Sequence, residues 1–296
     1  MPGQHRKSIF LIINKFAGHG KSRGKKVDLA ISWLKSHVGK VESANTNHPG
    51  HATELAASAH TDKYELVVAV GGDGTVNEVA QGIIGTTTPL GIIPMGSGNG
   101  LARELGISMD VLKSAKTFTE GKKQQIDVCR INNQRFLCTA GIGFDAQVAD
   151  KMSRAKTRGF LRYIQLTIQE SISFKPFKIK MQVDDVLIEK PVFLVTFANA
   201  SQFGNNARIA PNASMTDGLI DVVVVKPFNK IWLPVFGVGL FTRLIPKLPF
   251  VECYKAKHIQ LENAGTNIYH FYGEPGKLTL PAKITIDSEK LFVVGG

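Results

Sequence analysis

The sequence predicts an N-terminal doubly wound α/β domain over residues 1–121 and a C-terminal β-sandwich over 122–284, with the tail 285–296 free to pack back on the first domain. Three observations carry that expectation. Up to about Gly121, short apolar runs without alternation trade places with helical stripes, the pattern of strands buried on both faces of a parallel sheet. From Gln124 helices become rare, and short alternating segments joined by Asn-Asn, Asp-Asp and Gly turns recur at regular spacing, as in a sandwich. The 296 residues suffice for two ordinary domains.

Ile9 to Ile13 reads as the first buried strand and ends in a polar loop, Asn14 to Gly20, at a carboxyl strand end, where open α/β sheets bind ligands. Val27, Ala30, Ile31, Leu34 and Val38 then recur at helical intervals, with Lys25, Lys26, Lys35 and Lys40 off that stripe. A short strand runs to Thr46, and Thr46 to His51 opens a helix over Ala52 to Ala59. Leu66 to Val70 and Pro89 to Ile93 are the third and fourth strands, and each is followed by a glycine loop.

The first of these loops, Gly71-Gly72-Asp73-Gly74-Thr75, organises the chain. Its glycines permit positive φ and let main-chain N–H groups approach an anion at a helix N-terminus, a geometry that fits phosphate. Asp73 is the exception, because a carboxylate there repels phosphate unless a divalent cation bridges the two or the carboxylate takes a proton during reaction. The loop lacks the Lys-Ser/Thr ending of a P-loop and the spacing of a dinucleotide fingerprint. Gly20-Lys21-Ser22 is a decoy, since Lys15 stands where a P-loop needs glycine. The second loop, Pro94 to Gly100, carries Ser97 and Asn99 and opens on the same sheet edge; its polar residues serve a ligand or cap the next helix.

In the second half, strands are expected at Ile126 to Ile131, Arg135 to Ala140, Phe177 to Val183, Val186 to Asn199, Leu219 to Val225, His258 to Glu262 and Lys277 to Leu280. A long helix is expected over Gly159 to Phe174, with a stripe of Leu161, Ile164, Ile168 and Ile172. The formal net charge of +12 favours anionic partners, whether nucleotide, nucleic acid or an acidic membrane, without choosing among them. Cys129, Cys138 and Cys253 have no metal-site or CxxC spacing and are expected as free thiols in a reducing compartment. The N-terminal apolar run suits a strand better than a signal peptide, and Ile231 to Phe241 is too short to span a bilayer, so a cytoplasmic location is expected.

The motifs GGDGTVNEV, PMGSGNGLAR, AGIGFDA at Ala140 to Ala146, FANASQFGNNARIAPNASMTDGLIDVV at Phe197 to Val223, and FYGEP at Phe271, with NKFAGHGK and TNHPGHA before them, together resemble the soluble diacylglycerol kinase catalytic-domain superfamily, which includes bacterial lipid kinases and sphingosine and ceramide kinases. The resemblance covers most of the chain. It implies a nucleotide-binding α/β domain of NAD kinase/diacylglycerol kinase type, a β-rich acceptor domain, and transfer of the γ-phosphoryl of ATP to a lipid hydroxyl. By position it implies nucleotide contacts from Asn14, Thr46, Gly71, Gly72, Asp73, Gly74, Thr75, Asn77 and Ser97, and a role for Asp73 in metal binding or acceptor deprotonation. It also implies a Mg2+ site at Asp217, with carbonyls from Ser214 and Leu219, a hard-oxygen set; a plain Asp-Gly turn explains Asp217 as well.

One departure matters. Where the family usually has Asp-Gly-Glu with the aspartate as proposed base, this chain has Tyr272-Gly273-Glu274. A tyrosine is a poor base at neutral pH, so Asp73 or Glu274 takes the proton, or acceptor chemistry is weakened. The expected partners are ATP, a lipid alcohol and, transiently, an anionic membrane surface, with a homodimer left open and no nucleic acid, for which no module matches. Lys226, Lys230, Arg243 and Lys247 around Ile231 to Phe241, or Lys151, Arg154, Lys156, Arg158 and Arg162, would meet the headgroups, unless these are a core helix and an ordinary solvated face. The rival readings are an NAD kinase, which shares the GGDGT loop, and a nucleotide- or lipid-binding pseudokinase.

Overall fold

The computed structural model describes residues 7–17, 21–155, 160–266, 268–271 and 273–295. The chain divides into two compact units, Met1–Ile126 with Glu289–Gly296, and Asp127–Ser288. The first half runs β1 (Lys7–Ile13), α1 (Lys21–His37), β2 (Gly39–Asn45), α2 (His51–Thr61), β3 (Leu66–Gly71), α3 (Asp73–Ile83), β4 (Leu90–Pro94), α4 (Gly100–Glu104), α5 (Val111–Glu120) and β5 (Lys123–Ile126). It continues through β6 (Cys129–Ile131), β7 (Gln134–Phe136), β8 (Thr139–Gly143), α6 (Phe144–Ser153), α7 (Phe160–Ser173), β9 (Phe177–Val183), β10 (Val186–Val192), β11 (Leu194–Ala198) and β12 (Ile220–Val225). A 3-10 turn at Lys230–Trp232 leads into α8 (Leu233–Thr242), followed by β13 (Val251–Ala256), β14 (His258–Ala264), β15 (Ile268–Phe271), β16 (Glu274–Lys277), β17 (Ala282–Ile286) and β18 (Leu291–Val294).

The first unit is built on one sheet of order β2-β1-β3-β4-β18-β5, in which β1 to β4 are parallel neighbours. The unalternating apolar runs are explained by burial on both faces: every residue of β3 and β4 is buried. One face packs Ile9, Leu11, Val68 and Val70 against Val27, Ala30 and Leu34 of α1 and Ala115 and Phe118 of α5. The other is covered by α2 and α3, which bury Ala52, Ala56, Val79 and Ile83. Chain order reverses between β1 and β3, the switch point at which such sheets leave a crevice beyond their carboxyl ends. The chain's last strand, β18, completes the sheet, parallel to β4 and antiparallel to β5.

The second unit is a β-sandwich of two six-stranded sheets, β10-β9-β14-β17-β6-β7 and β13-β12-β11-β8-β15-β16. Their facing sides share one core that includes Phe136, Met181, Val195, Phe197, Val222, Leu261 and Ile284. The predicted single strand from Val186 to Asn199 is two, because the chain changes sheet at Phe193, whose N–H donates to Val225 O at 2.7 Å. The predicted strand from Arg135 to Ala140 is likewise split into β7 and β8 on different sheets. Outside the second sheet, α6, α7 and α8 contribute Phe144, Tyr163 and Phe236, and the residue after α7 contributes Phe174, to a second core over Leu194, Val223 and Val251. Of the stripe predicted along α7, Ile164, Ile168 and Ile172 are exposed and the Leu161 side chain lies outside the described residues; Leu166 and Ser171 are the helix's buried residues among those described.

Glu252 ties the two edge strands β10 and β13 across the sandwich. It accepts from Lys190 at 2.8 Å and Tyr254 at 2.8 Å and ion-pairs with Lys226 at 3.3 Å. The Lys190 bond, then those from Tyr254 and Lys226, outweighs burial and holds the Glu252 carboxyl down at about 2. A depressed carboxylate stabilises the fold above its unfolded pKa, and that contribution disappears as pH falls through the folded one. Glu252→Gln is therefore expected to lower stability by a constant amount above about pH 5, with the deficit shrinking toward pH 2. Urea melts of both proteins across that range check this; a deficit independent of pH contradicts it.

Candidate functional site

The carboxyl ends of β2, β1, β3 and β4 lie side by side, which places Thr46, Asn14, the Gly71–Thr75 turn and the Pro94–Gly100 loop in that order along one rim. Asn14 sits at the switch point. Its N–H donates to Val70 O at 3.0 Å, its Nδ2 to Thr75 Oγ1 at 3.0 Å, and its Oδ1 accepts from Phe16 N at 2.9 Å. Thr46 continues the ladder by donating its N–H to Ile13 O at 2.9 Å. Asn77 lies in the second turn of α3 and accepts from Gln81, and Ser97 is exposed at the tip of the second loop.

The glycines of the first loop are needed for close approach and not for positive φ. Gly72 has φ −90°, and none of Gly71, Gly72 and Gly74 is in the left-handed region, which corrects the sequence expectation. A Cβ on Gly71 would lie 2.5 Å from the Thr75 side chain, and one on Gly96 would lie 2.8 Å from the Gly72 Cα. The two loops thus touch backbone to backbone. Asp73 opens α3, and its carboxylate is turned into the second loop: Oδ2 accepts from Asn99 N at 2.8 Å and Oδ1 from Gly100 N at 2.7 Å. It therefore caps α4, and neither of the two uses expected from sequence describes this contact. Burial raises the Asp73 pKa above the ordinary carboxylate value, against the opposing pull of the Gly100 and Asn99 N–H groups and the Arg103 charge.

The second loop is held from within as well. Asn99 is left-handed at φ 50°, and its amide accepts from Gly96 N and donates to Gly96 O, both at 2.9 Å. Arg103 Nε donates to Gly98 O at 3.0 Å. Asp73 caps α4, whereas the start of α3, like that of α2 on the same rim, has no side-chain cap, and its first-turn N–H groups and positive dipole end face the rim. That arrangement attracts a multiply charged oxyanion. Phe16, 86% exposed beside Asn14, adds a ring to the rim that the sequence reading did not single out.

The remaining expected residues belong to the second unit. Asp217 Oδ2 ion-pairs with Lys255 Nζ at 2.7 Å and Oδ1 accepts from Leu219 N at 3.1 Å, while Ser214 Oγ lies 3.2 Å from Thr216 Oγ1. Lys255 also reaches Asp221 Oδ2 at 3.1 Å. Burial lowers the Lys255 pKa, but its bonds to Asp217 and Asp221 outweigh this and leave it raised. An ammonium thus supplies positive charge between the two carboxylates where the sequence reading expected Mg2+ at Asp217 with the Ser214 and Leu219 carbonyls. Glu274 begins β16, exposed, opposite Phe271. Tyr272 lies outside the described residues.

Residues 8–131 match the diacylglycerol kinase catalytic domain, and residues 138–295 match the YegS C-terminal NAD kinase beta sandwich-like domain. The chain belongs to the diacylglycerol kinase family. It is 30% identical over 269 residues to a diacylglycerol kinase of Mycobacterium tuberculosis, an alignment covering 88% of this chain and 87% of that one. It is 35% identical over 191 residues to a diacylglycerol kinase of Bacillus subtilis, covering 62% of each. An uncharacterized Synechocystis protein is 30% identical over 96% of this chain, which spans 66% of that protein's length. A crystal structure of a diacylglycerol kinase from Bacillus anthracis shares the fold, with TM-score 0.79, 23% identity and coverage of 99% of this chain and 98% of that one.

Within this diacylglycerol kinase family fold, the sequence reading passed over a buried polar cluster under α6. Asp145 Oδ2 meets His270 Nε2 at 2.9 Å and Thr196 Oγ1 at 3.3 Å, and a Cβ on Gly141 would fall 2.4 Å from the same oxygen. Burial and the Asp145 charge push the Tyr163 hydroxyl up to about 12. The motif AGIGFDA contains both Gly141 and Asp145, but their partners lie on β11 and β15, too far along the chain for local spacing to reveal. Lys255→Met should strand the Asp217 and Asp221 carboxylates and lower the Tm, and added Mg2+ should raise the Tm of that variant alone. A matching Mg2+ shift in the parent protein contradicts the Lys255 assignment.

Proposed function

We propose that this protein is an ATP-dependent lipid kinase, transferring the γ-phosphoryl group of Mg-ATP to the hydroxyl of a diacylglycerol, sphingoid or ceramide-type lipid. The carrying observation is the rim on which two glycine loops lie backbone to backbone beneath the open start of α3. Family membership supports the reaction class, and the named relatives support a lipid acceptor.

In this reading the first unit holds the nucleotide and the second the acceptor. The N–H groups of Gly74 and Thr75 face the phosphates, Asn14, Thr46, Asn77 and Ser97 contact the nucleotide, and Gly71 and Gly72 admit its close approach. Magnesium arrives with ATP and neutralises charge on the phosphate oxygens when bound. Asp73 is a positioning residue: it fixes the second loop against the first through Asn99 and Gly100. The acceptor oxygen forms its bond to Pγ as the bond from Pγ to the ADP oxygen breaks, and Glu274 is assigned the displaced hydroxyl proton. Because such transfer depends mostly on positioning and charge, the tyrosine at 272 does not preclude it. The acceptor resides in a bilayer, so the enzyme works in the cytoplasm and docks transiently on an anionic membrane surface. Among the described residues, no helix is long and apolar enough to cross one.

Radiolabelled ATP assayed against a panel of lipid vesicles, with NAD as a control acceptor, tests the reaction class. Asp73→Asn leaves one of two facing N–H groups without an acceptor; it should remain folded, bind ATP more weakly and lose about a hundredfold in turnover. Glu274→Gln should lower kcat with ATP affinity unchanged. Unchanged turnover in Asp73→Asn, or phosphorylation of NAD alone, contradicts the proposal.

A further inference from the structure

Between Val222 and Val251 the chain carries Lys226, Lys230, Arg243 and Lys247 and no acidic residue. The same stretch contains α8, which is apolar on both sides. Its inner side buries Phe236 and Gly239 against the second core, with Leu240 packed beside them. Its outer side, together with the turns flanking it, exposes Ile231 (77%), Val235, Val238 (60%), Phe241 and Leu244. A helix apolar all round is normally enclosed by protein; this one is enclosed on one side only.

The apolar surface extends onto α7. Its Ile168 (60%) and Ile172 (65%) are exposed, and Lys230 Nζ donates to Ile172 O, which brings the end of α7 against the turn before α8. Phe174, Phe193, Phe228 and Phe250 contact one another in succession beneath the two helices, edge-on, tilted and stacked in turn, at centroid spacings of 5.1, 5.0 and 4.3 Å, so the surface is backed by a packed aromatic layer. Beside Trp232 opens a cleft of about 590 Å³ whose walls include Pro191, Phe228 and Phe250, with Lys190 and Lys226 among its lining residues.

We infer that the outer face of α8, with the Ile168–Ile172 side of α7, is an interfacial surface that inserts shallowly into an anionic lipid bilayer. The α8 face, apolar and bordered in its own stretch by Lys230, Arg243 and Lys247 without an acid, is complementary to acyl chains below and anionic headgroups at its edge. Lysine and arginine stems lie along the apolar surface while their charges reach the headgroups. This deepens the lipid-kinase reading by naming the face that meets the bilayer.

The test reads vesicle binding in the absence of ATP, so that failure of docking and failure of phosphoryl transfer are separable. The chain has two tryptophans, and Trp33→Phe leaves Trp232 as the reporter. Vesicles containing about one third anionic lipid should sediment the protein and shift Trp232 emission to the blue, and brominated acyl chains should quench it; purely zwitterionic vesicles should bind far less. Ile231→Ser/Val235→Ser/Val238→Ser, at exposed positions, should reduce binding about tenfold or more, as should Arg243→Glu/Lys247→Glu. No blue shift on anionic vesicles, or binding unchanged in both variants, overturns the inference. So does a shift from dimer to monomer in sedimentation of the triple serine variant, which would make this face a contact between two copies of the chain.

Discussion

Two hydrogen bonds from backbone N–H groups to one carboxylate hold the rim together: Asn99 and Gly100 donating to Asp73. They join loops that leave different strands, and they do so from the first residue of α3, so the start of one helix caps another. The cost of burying that carboxylate shows in its raised pKa. What it secures is an α4 whose own positive end is satisfied and an α3 whose end remains available to a ligand. Glycine at 72 and 96 follows from the same approach of the loops, since a Cβ at 96 would lie 2.8 Å from the Gly72 Cα and one at 72 would lie 3.3 Å from the Gly96 Cα, while glycine at 71 makes room for the Thr75 side chain.

The second unit solves a different problem. Its sheets are held by a common apolar core, but charges at its margins are matched by opposite charges: Glu252 by Lys190 and Lys226, and Asp217 with Asp221 by Lys255. Beyond Lys226, which pairs with Glu252, the stretch that includes α8 carries Lys230, Arg243 and Lys247 with no acid of its own, beside exposed apolar side chains. A surface so composed is matched to a phase that is itself anionic outside and apolar within.

Much of the fold was legible because burial on two faces leaves a strong mark. The unalternating runs that became β1, β3 and β4, the glycine loops after β3 and β4, and the change to alternating segments beyond Gln124 all reflect local periodicity. The sheet change at Phe193 was missed although Glu189-Lys190-Pro191 interrupts the apolar run just before it, because strand-forming residues resume at once on the other side. Nor was the role of Asp73, which depends on residues 26 and 27 positions away. The exposed stripe on α7 shows the same limit: spacing identifies a helical face, while only tertiary packing decides which face is covered. Asn14, Thr46 and the Gly71–Thr75 turn were named by motif, and the parallel sheet order explains why they share a rim.

The central claim is that the loops joined by Asp73 form the seat of the triphosphate. A structure of the protein with Mg2+ and a non-hydrolysable ATP analogue tests it most directly. The account expects the phosphates against the N–H groups of Gly74 and Thr75, with the bonds from Asn99 and Gly100 to Asp73 intact. A triphosphate bound elsewhere while those loops stay unliganded, or an Asp73 carboxylate that leaves Asn99 and Gly100 on binding, would contradict it.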